Sequence, residues 1–129
     1  MTDLTSIVAA SRAIDILHPA TGEPVGLRLT LLPDSDPKVK TASRKALNER
    51  MSGKGKVTAE KIEQNRIDML VASIGDWQWT GDLTLDGEKP AFSDTKLRAV
   101  LEDENLAWIS QQVEAELRDT AAFFRSAQD

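Results

Sequence analysis

A chain of 129 residues with 40% hydrophobic and 29% charged side chains has the size and mixture of one globular domain, long enough to withdraw roughly 65–70% of its unfolded surface from water. Its apolar runs fall far short of the about 20 residues a membrane span needs, Met1-Thr2-Asp3-Leu4 shows no start of a secretory signal, and zero cysteine excludes disulfides and thiolate metal sites. The net charge of −5 hides a segregation: residues 1–36 carry two basic and five acidic side chains, residues 37–66 nine and three, residues 67–129 five and thirteen.

Taken in order, Ala10 to Leu17 alternates weakly, His18-Pro19-Ala20-Thr21-Gly22-Glu23-Pro24 punctuates, and Val25 to Leu32 places Leu27, Leu29 and Leu31 on one face. Period-2 alternation about a Pro/Gly turn predicts an N-terminal β-hairpin, with Pro19 and Pro24 where no ladder donor is needed. Ser35 or Asp36 then caps a helix whose first position is Pro37, where a missing N–H is harmless. That helix runs to about Met51 and is mostly polar. Its apolar stripe of Val39, Ala42, Ala46, Leu47 and Met51 is too narrow for a deeply buried element.

Ser52-Gly53-Lys54-Gly55-Lys56 breaks the pattern and reads as a mobile loop or hinge. Thr58 caps a second helix, with Glu60 in its first turn. There Ile67, Leu70, Val71 and Ile74 mark a buried face, widened by Ile62 and Met69. Gly75-Asp76 is expected to end it. Trp77-Gln78-Trp79-Thr80 with Leu83-Thr84-Leu85-Asp86-Gly87 reads as a short irregular hairpin. Ser93-Asp94 caps a third helix with Leu97, Val100 and Leu101 on one face. Asp103-Glu104-Asn105 interrupts, and Leu106 to about Phe124 reads as one last helix, with Ile109, Val113, Leu117, Ala121 and Phe124 in its stripe and Glu114 one turn before Arg118.

The expected architecture is α+β, mostly α: an N-terminal β-hairpin, then about four helices with a Trp-rich irregular turn between the second and third. A single domain covers 1–129, with a hairpin region at 1–36, middle helices at 37–75, and the Trp-rich turn with the C-terminal helices at 76–129.

Chemistry-bearing constellations are scarce. The single histidine, His18, precedes Pro19 in a turn and reads as a packing residue. Asp82, Asp86 and Glu88 do not match the spaced ligands and closing Glu of a calcium loop. Gly53-Lys54-Gly55-Lys56 lacks the glycine spacing and preceding strand of a phosphate-binding loop. No enzyme, cofactor or metal is expected. The basic stretch Lys38 to Arg66 invites nucleic acid, but the isoelectric point is near 4.9, the stretch holds no aromatic to stack a base, and no helix-turn-helix spacing is present. Neither nucleic acid nor membrane is an expected partner.

All three Trp and all three Phe lie between Trp77 and Phe124, so that block is either the best-packed core or a docking surface, since large rings bury the most apolar area. Contact residues are expected at Lys38, Lys40, Arg44, Lys45 and Arg50, which can meet an acidic partner or Glu102, Asp103 and Glu104 of a second copy. Trp77 and Trp79 are either core residues or exposed anchors. Segregated charge permits self-association as a dimer or as an open head-to-tail helical array.

The order of His18-Pro19-Ala20-Thr21-Gly22-Glu23-Pro24, Asp34-Ser35-Asp36-Pro37, Gly75-Asp76-Trp77, Asp86-Gly87-Glu88, Phe92-Ser93 and Thr120-Ala121-Ala122-Phe123-Phe124 resembles the tail assembly chaperones of long-tailed bacteriophages over most of the chain. The resemblance implies a non-enzymatic protein in the cytoplasm of the infected bacterial host, absent from the mature virion. Such a protein binds the tape measure protein, keeps it soluble and helps recruit tail tube subunits. The resemblance also implies the short form of a pair whose longer member arises by ribosomal frameshift. The competing expectation is a small acidic cytoplasmic adaptor or regulatory protein acting through protein contacts.

Overall fold

The computed structural model describes the backbone of residues 3–51 and 58–128 and side chains as far as Arg125; the stretch Ser52 to Lys56, expected as a hinge, lies outside the described residues. Strands β1 (Arg12–Leu17) and β2 (Pro24–Leu31) form the expected antiparallel hairpin. Leu27, Leu29 and Leu31 are buried, while Arg28 is exposed and pairs across the strands with Asp15 at 3.1 Å. One sheet face is therefore apolar and inward, the other polar. At the turn, the His18 ring nitrogen Nδ1 accepts the Ala20 N–H at 3.0 Å, so this histidine shapes backbone.

Helix α1 (Pro37–Met51) begins at the expected proline, where the Asp36 carboxylate accepts the Lys38 N–H at 2.9 Å. Helix α2 (Ala59–Ser73) is capped by the Thr58 hydroxyl accepting from Lys61 N–H at 3.1 Å. It buries Ile67, Leu70 and Val71 as its spacing predicts. The chain then passes without a loop into β3 (Ile74–Trp79), which pairs antiparallel with β2. This corrects two expectations: the helix stops at Ser73 rather than Gly75-Asp76, and Trp77-Gln78-Trp79 is a sheet strand rather than half of a local hairpin with Leu83 to Gly87. Of that local hairpin only a bridge between Leu85 and Glu88 exists, closed by Asp86 and Gly87 at positive φ of 52° and 84°.

The physical reason is a bulge. Leu31 faces Ile74 while Thr30 faces Asp76, so Gly75 is an extra residue on β3. Ile74 and Trp77 both turn inward three positions apart, which erases the alternation a strand normally displays. Gly75 also lies where any Cβ would stand 2.9 Å from a Leu32 methyl.

Helix α3 (Asp94–Glu102), capped by Ser93, is followed by a short 3-10 turn at Glu104–Leu106, then α4 (Ala107–Arg118) and α5 (Thr120–Gln128). The single last helix expected from Leu106 to Phe124 is thus two, broken at Asp119, whose backbone is non-helical (φ −82°, ψ 74°). The break rotates the buried stripe by one position: Ala122 and Phe123 are inside, while Ala121 is exposed. Phe123 there lies under Arg12, its ring centroid 5.5 Å from the guanidinium, and Arg12 forms an ion pair with Glu116. The Arg12 side chain is only 15% exposed, so these contacts tie β1 to both C-terminal helices.

Buried residues of the hairpin, α2, β3 and the C-terminal helices belong to one hydrophobic cluster. Polar side chains cap part of both sheet edges. On β1, Gln112 accepts the Leu17 N–H at 2.8 Å and donates to the Leu17 carbonyl at 2.7 Å. On β3, Lys38 donates to the Ile74 carbonyl at 3.0 Å and the Asp76 carboxylate takes the Trp77 N–H at 2.8 Å.

Gly26 has φ +104°, and a Cβ there would lie 2.7 Å from the Thr80 carbonyl oxygen, whereas Gly22, at φ +74°, has nothing within 4 Å. Gly22→Ala should therefore cost only the left-handed backbone penalty of about 1–2 kcal/mol. Gly26→Ala should cost clearly more, read as the larger drop in urea midpoint.

Candidate functional site

At about 100° per residue, the cations of α1 divide between two faces. Lys38 and Lys45 point toward the α2 and α3 side and help line a groove of about 270 Å³ whose floor includes Ala42, Ala46, Met69 and Ala72. Lys38 is engaged there: its Nζ sits 2.8 Å from Asp94 and 5.6 Å from the Phe92 ring centroid, besides its bond to Ile74. Its task is to lock α1 to β3 and α3. The groove rim is also neutralised by an ion pair between Arg98 and Asp68.

Lys40 and Arg44 project from the opposite side of α1, with Arg50 at its flank, and all three are exposed. Among the described residues no carboxylate forms an ion pair with Lys40, Arg44, Lys45 or Arg50, whereas Arg12, Arg28, Lys38, Arg66, Arg98, Arg118 and Arg125 each have one. The expected cluster of five is therefore one structural lysine and four available cations on two faces.

Sequence reasoning placed Leu47 and Met51 in the inward stripe; the structure exposes them at 55% and 77%. Only Val39 of that stripe is buried, with Ala42 and Ala46 half-buried. Leu47 and Met51 instead continue the line of Lys40 and Arg44, at spacings of four, three and four. That spacing was the available signal. Ile62 of α2 is exposed as well, at 59%.

The aromatic pair belongs to the core. Trp77 is 5% exposed, its indole N–H donates to the Pro90 carbonyl at 3.0 Å, and its ring meets Trp79 and Phe92 edge-on at 5.4 and 5.6 Å. Trp79 is half-buried against the same cluster, with its indole nitrogen enclosed and without a partner among the described residues. Trp77 is not an exposed anchor, because its only polar atom is already satisfied internally.

The acidic surface expected to meet α1 is partly occupied too. Glu102 pairs with Arg98 at 3.5 Å, and the Asp103 carboxylate accepts the Asn105 N–H at 2.9 Å, leaving Glu104. Arg66 bridges Glu63 and Glu114. Its hydrogen bond to Glu63 is the main cause of a raised guanidinium pKa, and the same bond holds the Glu63 carboxyl below its ordinary range. A hydrogen bond to Asp68 likewise raises Arg98. Among the described residues no three His, Asp or Glu side chains stand close enough to hold a metal.

Comparison with protein-family models, curated proteins and solved structures found no match.

Two measurements check this arrangement. With Trp79→Phe and Trp108→Phe leaving Trp77 as the sole indole, iodide should quench its fluorescence far less than that of free tryptophan; comparable quenching would place it outside. Because the Glu63 carboxyl is lowered in the folded state, its contribution is present above its unfolded pKa and lost as pH falls through the folded value. The stability gap between the wild type and Glu63→Gln should accordingly close on acidification and shrink with salt.

Proposed function

We propose that this chain is a non-enzymatic assembly chaperone that acts by holding a long helical partner, as the resemblance to phage tail assembly chaperones implies. In that reading it binds the tape measure protein, keeps it soluble and helps bring tail tube subunits to it. Its place is the cytoplasm of the infected host, and it is absent from the mature virion.

The observation that carries this reading is the outward face of α1, where Lys40 and Arg44, without ion pairs among the described residues, stand beside exposed Leu47 and Met51, while the arginines of the other helices are held in internal ion pairs. Such a face suits reversible contact, since exposed charge pairs are individually weak and steer encounter more than they hold it. Among the described residues no helix is long and apolar enough to cross a membrane. Self-association through Glu102, Asp103 and Glu104 has weaker support, because two of those carboxylates already have partners.

Co-expression with the tape measure protein is the test. The expected outcome is a larger soluble fraction of that protein and its co-purification with the chain; an insoluble, unbound tape measure protein would overturn the reading.

A further inference from the structure

We infer that the stripe Lys40, Arg44, Leu47 and Met51 is a docking seam for one amphipathic helix of a partner protein, which presents two carboxylates one turn apart and two apolar side chains further along. This rests on the chaperone reading above and adds to it the chemistry and geometry of the segment held.

Three observations converge. The first is spacing: steps of four, three and four alternate as the a and d positions of a coiled-coil seam do, so the complementary surface is itself a helix. The second is availability. The stripe lies on the side of α1 turned away from the groove, Leu47 and Met51 are more than half exposed, and Lys40 and Arg44 have no carboxylate partner among the described residues. The third is polarity along the axis: both cations occupy the first half of the helix and both apolar side chains the second, which asks for a partner acidic at one end and apolar at the other.

The composition of the seam separates this occupant from others. A nucleic acid would use Lys40 and Arg44 but gain nothing from Leu47 and Met51, which offer phosphate no donor. A second copy of this chain would have to bring two helical carboxylates one turn apart, yet Glu63, Asp68, Asp94, Glu102, Glu114 and Glu116 are held in internal ion pairs, and Glu60 has Gln64 one turn on.

The test uses the full chain and a fluorescent, lactam-stapled helical peptide with Glu at two positions four apart and Leu at two positions seven and eleven after the first Glu, in an Ala/Gln background. The same peptide with reversed sequence covers the antiparallel orientation, and a Lys-for-Glu version serves as charge control. One orientation should bind, more weakly as salt rises. Leu47→Ser with Met51→Ser should weaken binding about tenfold or more. Lys40→Glu with Arg44→Glu should abolish it and confer binding of the Lys peptide. All four side chains are exposed, and an unchanged thermal melt verifies that the variants fold.

Binding of neither orientation, or binding indifferent to both double variants, overturns the inference. So does salt-sensitive self-association of the protein alone that Lys40→Glu with Arg44→Glu removes, or duplex oligonucleotide binding that depends on the cations but not on Leu47 and Met51. If both double variants still solubilise the tape measure protein as the wild type does, the chaperone reading stands and the seam falls.

Discussion

The central position of β2 is the constraint on which the rest of the molecule depends. It is the only strand paired on both sides among the described residues, with β1 on one edge and β3 on the other. Its inward residues Leu27, Leu29 and Leu31 are almost wholly buried, and truncating any one to alanine would remove about 2–5 kcal/mol by the usual cost of such cavities. Because β3 follows α2 without a loop, the register of β2 against β3 also fixes where α2 lies. Lys38 then binds the Ile74 carbonyl at the start of β3 and the Asp94 carboxylate at the start of α3, so α1 takes its place from the same strand.

The charge segregation acquires a structural meaning from this arrangement. Arg12, Arg66 and Arg98 join elements distant in sequence, each to a carboxylate of the acidic part of the chain. Arg12 does so with little solvent access, where loss of Glu116 would strand a charge in the interior. What is left over after these internal pairings is concentrated on α1. The basic middle holds two populations: Lys38 and Arg66 staple the fold, and Lys40 and Arg44 face outward.

Much of the architecture was readable because local rules and tertiary packing agree. The alternation of Leu27, Leu29 and Leu31, Pro37 at the first turn of α1, and the Thr58 and Ser93 caps each point to the element that forms. Where they disagree, the sequence misleads. The Gly75 bulge gives β3 a three-residue spacing between Ile74 and Trp77, and Asp119 interrupts a stripe that is otherwise continuous from Ile109 to Phe124. At the candidate surface, Lys40 and Arg44 were legible as cations. The outward turn of Leu47 and Met51 was not, because an apolar residue on an amphipathic helix is assigned to the core by default. The engagement of Lys38 depends on Asp94 and Ile74, which no local pattern brings together.

The double hydrogen bond from Gln112 to Leu17, with its counterparts from Lys38 and Asp76 on β3, reaches beyond the fold of one molecule. An open strand edge is a template on which identical chains add irreversibly. That hazard is greatest at high local concentration. A side-chain amide on one margin, and a lysine and a carboxylate on the other, occupy backbone groups at Leu17, Ile74 and Trp77. Three polar side chains thereby blunt that template at both margins.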